Sequence, residues 1–144
     1  MEKRAHLLDN FIANTPWQNS KRAPLAGDAS LRRYERLFDA ASGRRAILMD
    51  APPEKGEDVR PFLKVAAYLR SNGLAAPEIY EADEKSGFLI LEDFGHDLFD
   101  VVCNATPQNE RIIYAAAVDV LAALAQAPAL AEAQDYHPKM LDLA

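Results

Sequence analysis

The sequence predicts an α+β fold, with an antiparallel sheet and one helix inserted between its third and fourth strands. Three observations predict it. Apolar residues recur at helical spacing near the start, in the middle and in the last third of the chain; short apolar or alternating runs lie between them; and turns rich in Gly or Pro separate these runs. The predicted order is helix, three strands, helix, two strands, helix. No internal repeat or low-complexity segment is visible.

The composition is that of a globular protein with no bias toward nucleic acid. The chain has 144 residues, of which 49% are hydrophobic and 26% charged, enough for one domain or for part of a larger one. A net charge of -6 argues against a general nucleic-acid binder. Cys103 is the only cysteine, which excludes an intrachain disulfide. The sequence shows no signal-peptide pattern and no run of apolar residues long enough to span a membrane, so we expect a cytoplasmic chain with no membrane partner.

The first half of the chain is predicted to form a helix and three strands. Residues 2–14 place four apolar side chains at helical spacing: Leu7, Leu8, Phe11 and Ile12. The chain is extended around Leu25, turns at "GDAS" and continues as the strand "SLRRYERLFDA". The third strand is "RAILMDA", and it ends at Pro52 and Pro53, which cannot donate a ladder hydrogen bond.

The second half is predicted to form a helix, a hairpin and a last helix. The first of these helices carries an amphipathic stripe and ends at "SNG"; the stripe is Phe62, Val65, Ala66 and Leu69. The runs "PEIYEAD" and "GFLILED" predict a hairpin joined through "EKSG". Thr106 is predicted to cap the last helix, with Pro107 at its first position and an end before Pro128. We expect four residues of that helix to be buried: Ile113, Ala117, Val120 and Leu124.

Four motifs follow one another in an informative order: "GDASLRRY", "AILMDAPP", "APEIYEAD" and "GFLILEDFG". Together they resemble the aminoglycoside phosphotransferase and choline kinase-like superfamily, and within it the anomeric kinases of N-acetylmuramate and N-acetylglucosamine. The resemblance covers most of residues 20–100. It implies a protein kinase-like small lobe over residues 1–91, with a five-stranded antiparallel sheet and one inserted helix. Residues 92–144 would then form the hinge and the first helix of the large lobe.

The "GDAS" stretch has two interpretations. Gly27 allows a tight bend, and Ala29 and Ser30 are small enough for main-chain N–H groups to approach phosphate oxygens. The resemblance implies that these three residues and Asp28 contact the β and γ phosphates of ATP. Asp28 suits that role only if its carboxylate points away from the phosphates or caps the turn. The alternative is a plain hairpin turn, of which Gly-Asp is a common signal.

The "LILEDFG" stretch also has two interpretations. The resemblance implies a hinge whose main-chain groups contact the edge of adenine at four positions: Leu91, Glu92, Asp93 and Phe94. The alternative is a buried strand that ends in a charged turn, which explains the same residues. The sequence alone leaves both interpretations open.

The third strand departs from the general kinase pattern. A lysine that grips the nucleotide phosphates is expected near its end, but Met49 or Asp50 stands there. The glutamate expected on the following helix is also absent, which is consistent because either charge alone would be costly to bury. We hypothesise that Arg32 or Arg33, which should point to opposite faces of a strand, meets the phosphate charge. The alternative is that both arginines are solvated on an edge strand.

The resemblance implies a phosphotransferase that moves the γ-phosphate of ATP, with Mg²⁺, to a hydroxyl of a small molecule such as an amino sugar. No catalytic residue or metal ligand is assigned in this chain, because a His-Gly-Asp-like loop is absent and is expected beyond residue 144. We therefore expect this chain to be inactive alone. Its last helix would normally pack on the large lobe, so in this chain we expect a partly exposed apolar stripe that favours self-association: Ile112, Ile113, Val120 and Leu124. Two alternatives remain: a naturally short nucleotide-binding pseudokinase and a non-enzymatic interaction module.

Overall fold

The fold is built on one five-stranded antiparallel sheet, with strand order β1-β2-β3-β5-β4. A computed structural model describes residues 2–26 and 31–130. The strands are β1 (Lys21–Pro24), β2 (Arg33–Phe38), β3 (Arg45–Asp50), β4 (Ile79–Asp83) and β5 (Phe88–Glu92). The helices are α1 (Glu2–Ala13), α2 (Arg60–Ser71), α3 (Phe99–Ala105) and α4 (Glu110–Gln126). The predicted α+β class, and the helix between the third and fourth strands, are confirmed.

One face of the sheet, the α1 face, is covered by the N-terminal helix. Side chains alternate along β3, so Ala46 and Leu48 point to this face and the residues between them point to the other. The buried cluster on the α1 face consists of Leu8, Ile12, Trp17, Leu37, Ala46, Leu48, Phe88 and Ile90. Of the predicted stripe of α1, Leu8 and Ile12 are buried, whereas Leu7 is exposed.

The turn after α1 fixes this helix to the sheet. The Thr15 hydroxyl donates to the Ile12 carbonyl at 2.8 Å and accepts from the Trp17 main-chain N–H at 3.1 Å. The buried Trp17 ring stacks with Tyr80 at a centroid distance of 5.8 Å. The Arg44 guanidinium lies over the Trp17 ring, 4.5 Å from the ring centroid. The "NTPW" stretch is therefore a packed turn as well as a helix end.

The opposite face, the α2 face, carries the second cluster. It is formed by the buried side chains Met49, Ala51, Val59, Leu89 and Leu91, with Tyr34, Ile47, Phe62, Leu63 and Ile79 packed against them. The predicted stripe of α2 needs one correction, because Val65 is 45% exposed and Leu63 packs into the cluster instead. The helix is rotated so that Phe62, Leu63 and Ala66 face the sheet. Its end at Ser71 and the left-handed Gly73 agree with the predicted stop.

The segment after β5 contains a helix that the sequence did not predict. Helix α3 precedes Thr106, whose main-chain N–H donates to the Val102 carbonyl at 2.9 Å and so closes α3. Residues Pro107–Asn109 form one 3-10 turn, and α4 begins only at Glu110. Thr106 makes no side-chain cap hydrogen bond, so its predicted role as the cap of the last helix is wrong. The valines of α3 have low helix propensity, which hid this helix in the sequence.

Helix α4 exposes its apolar side chains. No residue of α4 is buried, so the burial predicted for Ile113, Ala117, Val120 and Leu124 is wrong. The partial exposure predicted for Ile113, Val120 and Leu124 in this chain is found, and Val120 is 52% exposed. The exposure predicted for Ile112 is found. The Tyr68 hydroxyl of α2 donates to the Pro128 carbonyl at 2.6 Å, which ties the end of α4 to α2. Across residues 2–26 and 31–130, none of the helices has the length and apolar character that crossing a membrane requires.

Candidate functional site

The "GDAS" stretch connects the first two strands. Residues 27–30 lie outside the described residues, so the predicted contacts of Gly27, Asp28, Ala29 and Ser30 remain predictions. Their described flanks belong to an antiparallel hairpin, in which the Leu25 N–H donates to the Tyr34 carbonyl at 2.9 Å. A hairpin at this point is what both interpretations of the stretch require.

The two neighbouring arginines lie on different faces of the sheet. Arg33 is exposed and lies on the α1 face, opposite Asp50 of β3. The Arg32 Nε donates to Glu57 Oε2 at 2.7 Å, just before α2. The hydrogen bond that Arg32 donates to Glu57 raises the pKa of Arg32, although partial burial opposes the shift. Strand β2 lies between β1 and β3, so the edge strand assumed in the alternative interpretation is not observed.

Met49 and Asp50 are also separated by the alternation of β3. The Met49 side chain is buried in the cluster on the α2 face. The Asp50 carboxylate lies on the α1 face and accepts a hydrogen bond from Arg4 Nε of α1 at 2.8 Å. The position that faces α2, where the general pattern has lysine, is therefore held by an uncharged side chain.

A cavity of about 550 Å³ lies on the α1 face, on the far side of the sheet from Met49. Its lining comes from α1, the first three strands and the segment after β3; among the lining residues are Arg4, Arg22, Arg33, Asp50 and Lys55. Two of these cations are already paired, Arg4 with Asp50 and Arg22 with Glu35. Among the described residues that are predicted to contact nucleotide, Arg33 is the one that lines this cavity.

The end of β5 leaves a short stretch of main chain available for a ligand. Leu91 is buried, and the Glu92 N–H is already used, because it donates to the Glu78 carbonyl at 2.8 Å. Among the described residues, the main-chain groups of Asp93 and Phe94 form no hydrogen bond. Gly95 follows with a φ of 85°, a left-handed conformation that glycine adopts without strain. Of the four predicted hinge positions, Asp93 and Phe94 have the free main-chain groups.

Arg36 of β2 holds this stretch in place, and sequence reasoning did not identify it. Its Nη2 donates to Asp93 Oδ1 at 3.0 Å and to the Gly95 carbonyl at 3.1 Å. Its Nε lies 2.7 Å from Asp93 Oδ2, an ion-pair contact whose angle is too poor for a hydrogen bond. Arg36 Nη1 also contacts the His96 ring. The only signal in the sequence was the Asp-x-Gly turn, since Asp93 Oδ1 accepts from the Gly95 N–H at 2.9 Å.

The Asp93 carboxylate is held in its charged form. Its side chain is only 3% exposed, and this burial alone would raise its pKa. The hydrogen bonds from Arg36 and from the Gly95 N–H outweigh burial, so the pKa of Asp93 is lowered below its usual value. Asp93 is therefore an ionised anchor of the stretch, and its main chain is what remains for a ligand.

Replacing Asp93 with asparagine should lower the free energy of unfolding at pH 7 by about 2 kcal/mol, since a charged hydrogen-bond partner of Arg36 is lost. Because the pKa of Asp93 is lower in the folded chain than in the unfolded one, its contribution is complete above about pH 4 and falls as the pH drops toward the folded pKa. The difference in the free energy of unfolding between the parent chain and Asp93→Asn should therefore become smaller at acidic pH. Urea unfolding at several pH values between 7 and 3 measures it. Asp97→Asn, at an exposed position, is the control, and a gap independent of pH would contradict the assignment.

The described residues contain no group of three or more His, Cys, Asp or Glu side chains that can hold a metal ion. They therefore offer no set of ligands for a resident Mg²⁺, and no catalytic step is assigned to one here. His96 contacts Arg36, and His6 is exposed on α1 next to Asn10; within residues 2–26 and 31–130 neither ring forms a hydrogen bond to a carboxylate that would orient it as a general base.

Comparison with known proteins gives a consistent result. The model of the phosphotransferase enzyme family matches residues 21–144. A Pseudomonas aeruginosa protein named N-acetylmuramate/N-acetylglucosamine kinase is 40% identical over 100 residues, which cover 69% of this chain and 28% of that protein. Proteins of the same name from Pseudomonas putida and Caulobacter vibrioides are 34% and 31% identical, over 93% and 82% of this chain. The chain matches 39% of the length of each of these two.

Proposed function

The chain belongs to the phosphotransferase enzyme family, and from that premise we propose that it forms the N-terminal, nucleotide-binding part of an ATP-dependent sugar kinase. The whole protein would transfer the γ-phosphate of ATP to a hydroxyl of an amino sugar, with N-acetylmuramate or N-acetylglucosamine at the anomeric position as the first acceptors to test. The observation that carries the proposal is the family match over residues 21–144, which spans the whole sheet. The names of the relatives support the choice of acceptor.

In this proposal adenine binds at the end of β5. The free main-chain groups of Asp93 and Phe94 suit the donor and acceptor pattern of the adenine edge, which needs no particular side chain. Ile47 lies opposite Leu91 on the α2 face and is only partly buried, so it can offer an apolar surface to the ring. Arg36 contributes indirectly, because it fixes Asp93 and Gly95 on either side of Phe94.

The phosphates would lie toward the β1–β2 connection. We assign the main-chain groups of residues 27–30 to the phosphate oxygens, in keeping with the small side chains of Ala29 and Ser30. Positive charge has to come from a residue other than Met49, and of the two candidates Arg32 and Arg33 it is Arg32 that lies on the α2 side of the sheet. Mg²⁺ would enter with the triphosphate and supply charge neutralisation there.

Catalysis and acceptor binding are assigned to the rest of the protein. The chain matches between 28% and 39% of the relatives' length, and its described residues hold no candidate catalytic base or metal site. We therefore propose that this chain binds nucleotide without transferring phosphate. If the whole protein uses ATP as proposed, it would work in the cytoplasm, where ATP is available.

Thermal unfolding with and without Mg-ATP tests the proposal directly. Ligand at about a hundred times its Kd should add roughly 2.7 kcal/mol to the free energy of unfolding and raise the midpoint visibly. Gly27→Leu should abolish the shift, because a bulky side chain blocks close approach to phosphate. Gly43→Leu, in the turn between β2 and β3, should keep it, because a Cβ there meets nothing within 4 Å. An unchanged midpoint at millimolar Mg-ATP would contradict nucleotide binding and would favour the interaction-module alternative.

A further inference from the structure

We propose that Glu57 is a positioning residue for phosphate recognition, and that the Arg32–Glu57 pair replaces the strand lysine and helix glutamate that this chain lacks. The inference rests on the proposed nucleotide-binding function. It concerns a carboxylate that none of the four motifs contains, in the connection between β3 and α2.

Both oxygens of the Glu57 carboxylate are engaged at the start of β2. Oε2 accepts from Arg32 Nε at 2.7 Å, and Oε1 accepts from the Leu31 main-chain N–H at 3.2 Å. The side chain is only 15% exposed, so little water competes with these contacts. One carboxylate thus fixes a cation and the main chain of the residue that directly follows the "GDAS" stretch.

The pair lies on the side of the sheet where the lysine is missing. Glu57 precedes Val59 by two residues, and Val59 and Met49 belong to the same buried cluster. Tyr34, packed against that cluster, also interacts with Arg32. The charge that a lysine at position 49 would supply from β3 is therefore supplied from the start of β2, and its carboxylate partner comes from the segment before α2 rather than from the helix.

A carboxylate near a phosphate site is unfavourable unless it orders a cation. If Glu57 acted only as a negative charge, its removal would reduce electrostatic repulsion and strengthen the binding of a polyanion such as ATP. If Glu57 instead orients the Arg32 guanidinium and the Leu31 N–H, its removal would release both groups and weaken ATP binding. The two effects have opposite signs, so the direction of the change identifies the role of Glu57.

The experiment is calorimetric titration of the chain and its variants with Mg-ATP and, separately, with adenosine, which has no phosphate. Glu57→Gln should weaken Mg-ATP binding by about tenfold, in line with the loss of a charge-assisted hydrogen bond, and leave adenosine binding unchanged. Asp58→Asn removes the same charge one residue away, at an ion pair with Arg60, and should change neither affinity. Arg32→Gln should reproduce the loss specific to ATP. The double variant should lose no more than Arg32→Gln alone, because Glu57 acts through Arg32.

Equal or tighter Mg-ATP binding by Glu57→Gln, with the parent chain binding Mg-ATP more tightly than adenosine, would overturn the role of Glu57 and leave the proposed function standing. A parallel loss for adenosine and ATP would also overturn it, because a purely structural role affects both. If Glu57→Gln does not fold, Arg32→Gln and Glu57→Asp take its place, and the quantity compared is again the ratio of the Mg-ATP affinity to the adenosine affinity. A parent chain that binds neither ligand would overturn the proposed function and this inference with it.

Discussion

Replacing Gly87 with alanine should destabilise the chain by roughly 4 kcal/mol, the largest effect we expect from a change of one methyl group. Gly87 lies directly before β5 with a φ of 73°, a conformation that L residues rarely adopt. A Cβ at this position would lie 2.0 Å from the Ala51 carbonyl oxygen and 3.1 Å from Pro53 Cδ. The Gly87 carbonyl also accepts the Ala51 N–H at 2.9 Å, so the backbone cannot move away without losing that bond.

Gly43→Ala is the matched control for this prediction. Gly43 has nearly the same φ, 71°, but a Cβ there meets nothing within 4 Å. That variant should therefore lose only about 1 kcal/mol of the free energy of unfolding, which is the cost of placing an L residue in the left-handed conformation. The difference between the two variants in the free energy of unfolding, measured with urea, isolates the contact with Ala51 and Pro53, which follow β3. Equal losses would mean that the end of β3 and the turn before β5 can separate at little cost, contrary to the packing described above.

The features that the sequence predicted correctly are local ones. The proline pair after β3 ends that strand because Pro52 and Pro53 cannot donate to a ladder. The "SNG" stop works through a left-handed Gly73, and the "EKSG" turn through Gly87. Each of these depends on a few consecutive residues, so the sequence contains all the information needed.

The ion pairs that shape the candidate site could not be predicted in the same way. Arg36 and Asp93 are 57 residues apart, and Arg32 and Glu57 are 25 apart. Their meeting depends on strand register and on the path of the β3–α2 connection, and no local pattern in a single sequence encodes either. For the same reason the sequence could not show whether Met49 or Asp50 occupies the position of the kinase lysine. The two residues lie on opposite faces, and only the position of β3 between its neighbours shows which face holds which helix.

Replacing Arg4 with methionine should produce the second large loss, about 3 kcal/mol, because it leaves a carboxylate without its partner. The Asp50 side chain is 12% exposed, and Arg4 Nε donates to it at 2.8 Å. Arg4 Nη2 also donates to the Ser86 carbonyl at 2.9 Å, and the guanidinium lies 4.5 Å from the centroid of the Phe88 ring. One side chain of α1 thus joins the end of β3 to the turn before β5.

A double variant separates the charge from the packing. Arg4→Met combined with Asp50→Leu removes both members of the pair and should recover most of the loss, since the cost comes from the uncompensated carboxylate. Arg60→Met is the control, because Arg60 is an exposed arginine paired with Asp58 and should change stability little. If the double variant stays as unstable as Arg4→Met, the loss belongs instead to the contacts of Arg4 with Ser86 and Phe88. In that case Arg4 holds α1 in place through its contacts with the Ser86 carbonyl and the Phe88 ring, and not through its ion pair with Asp50.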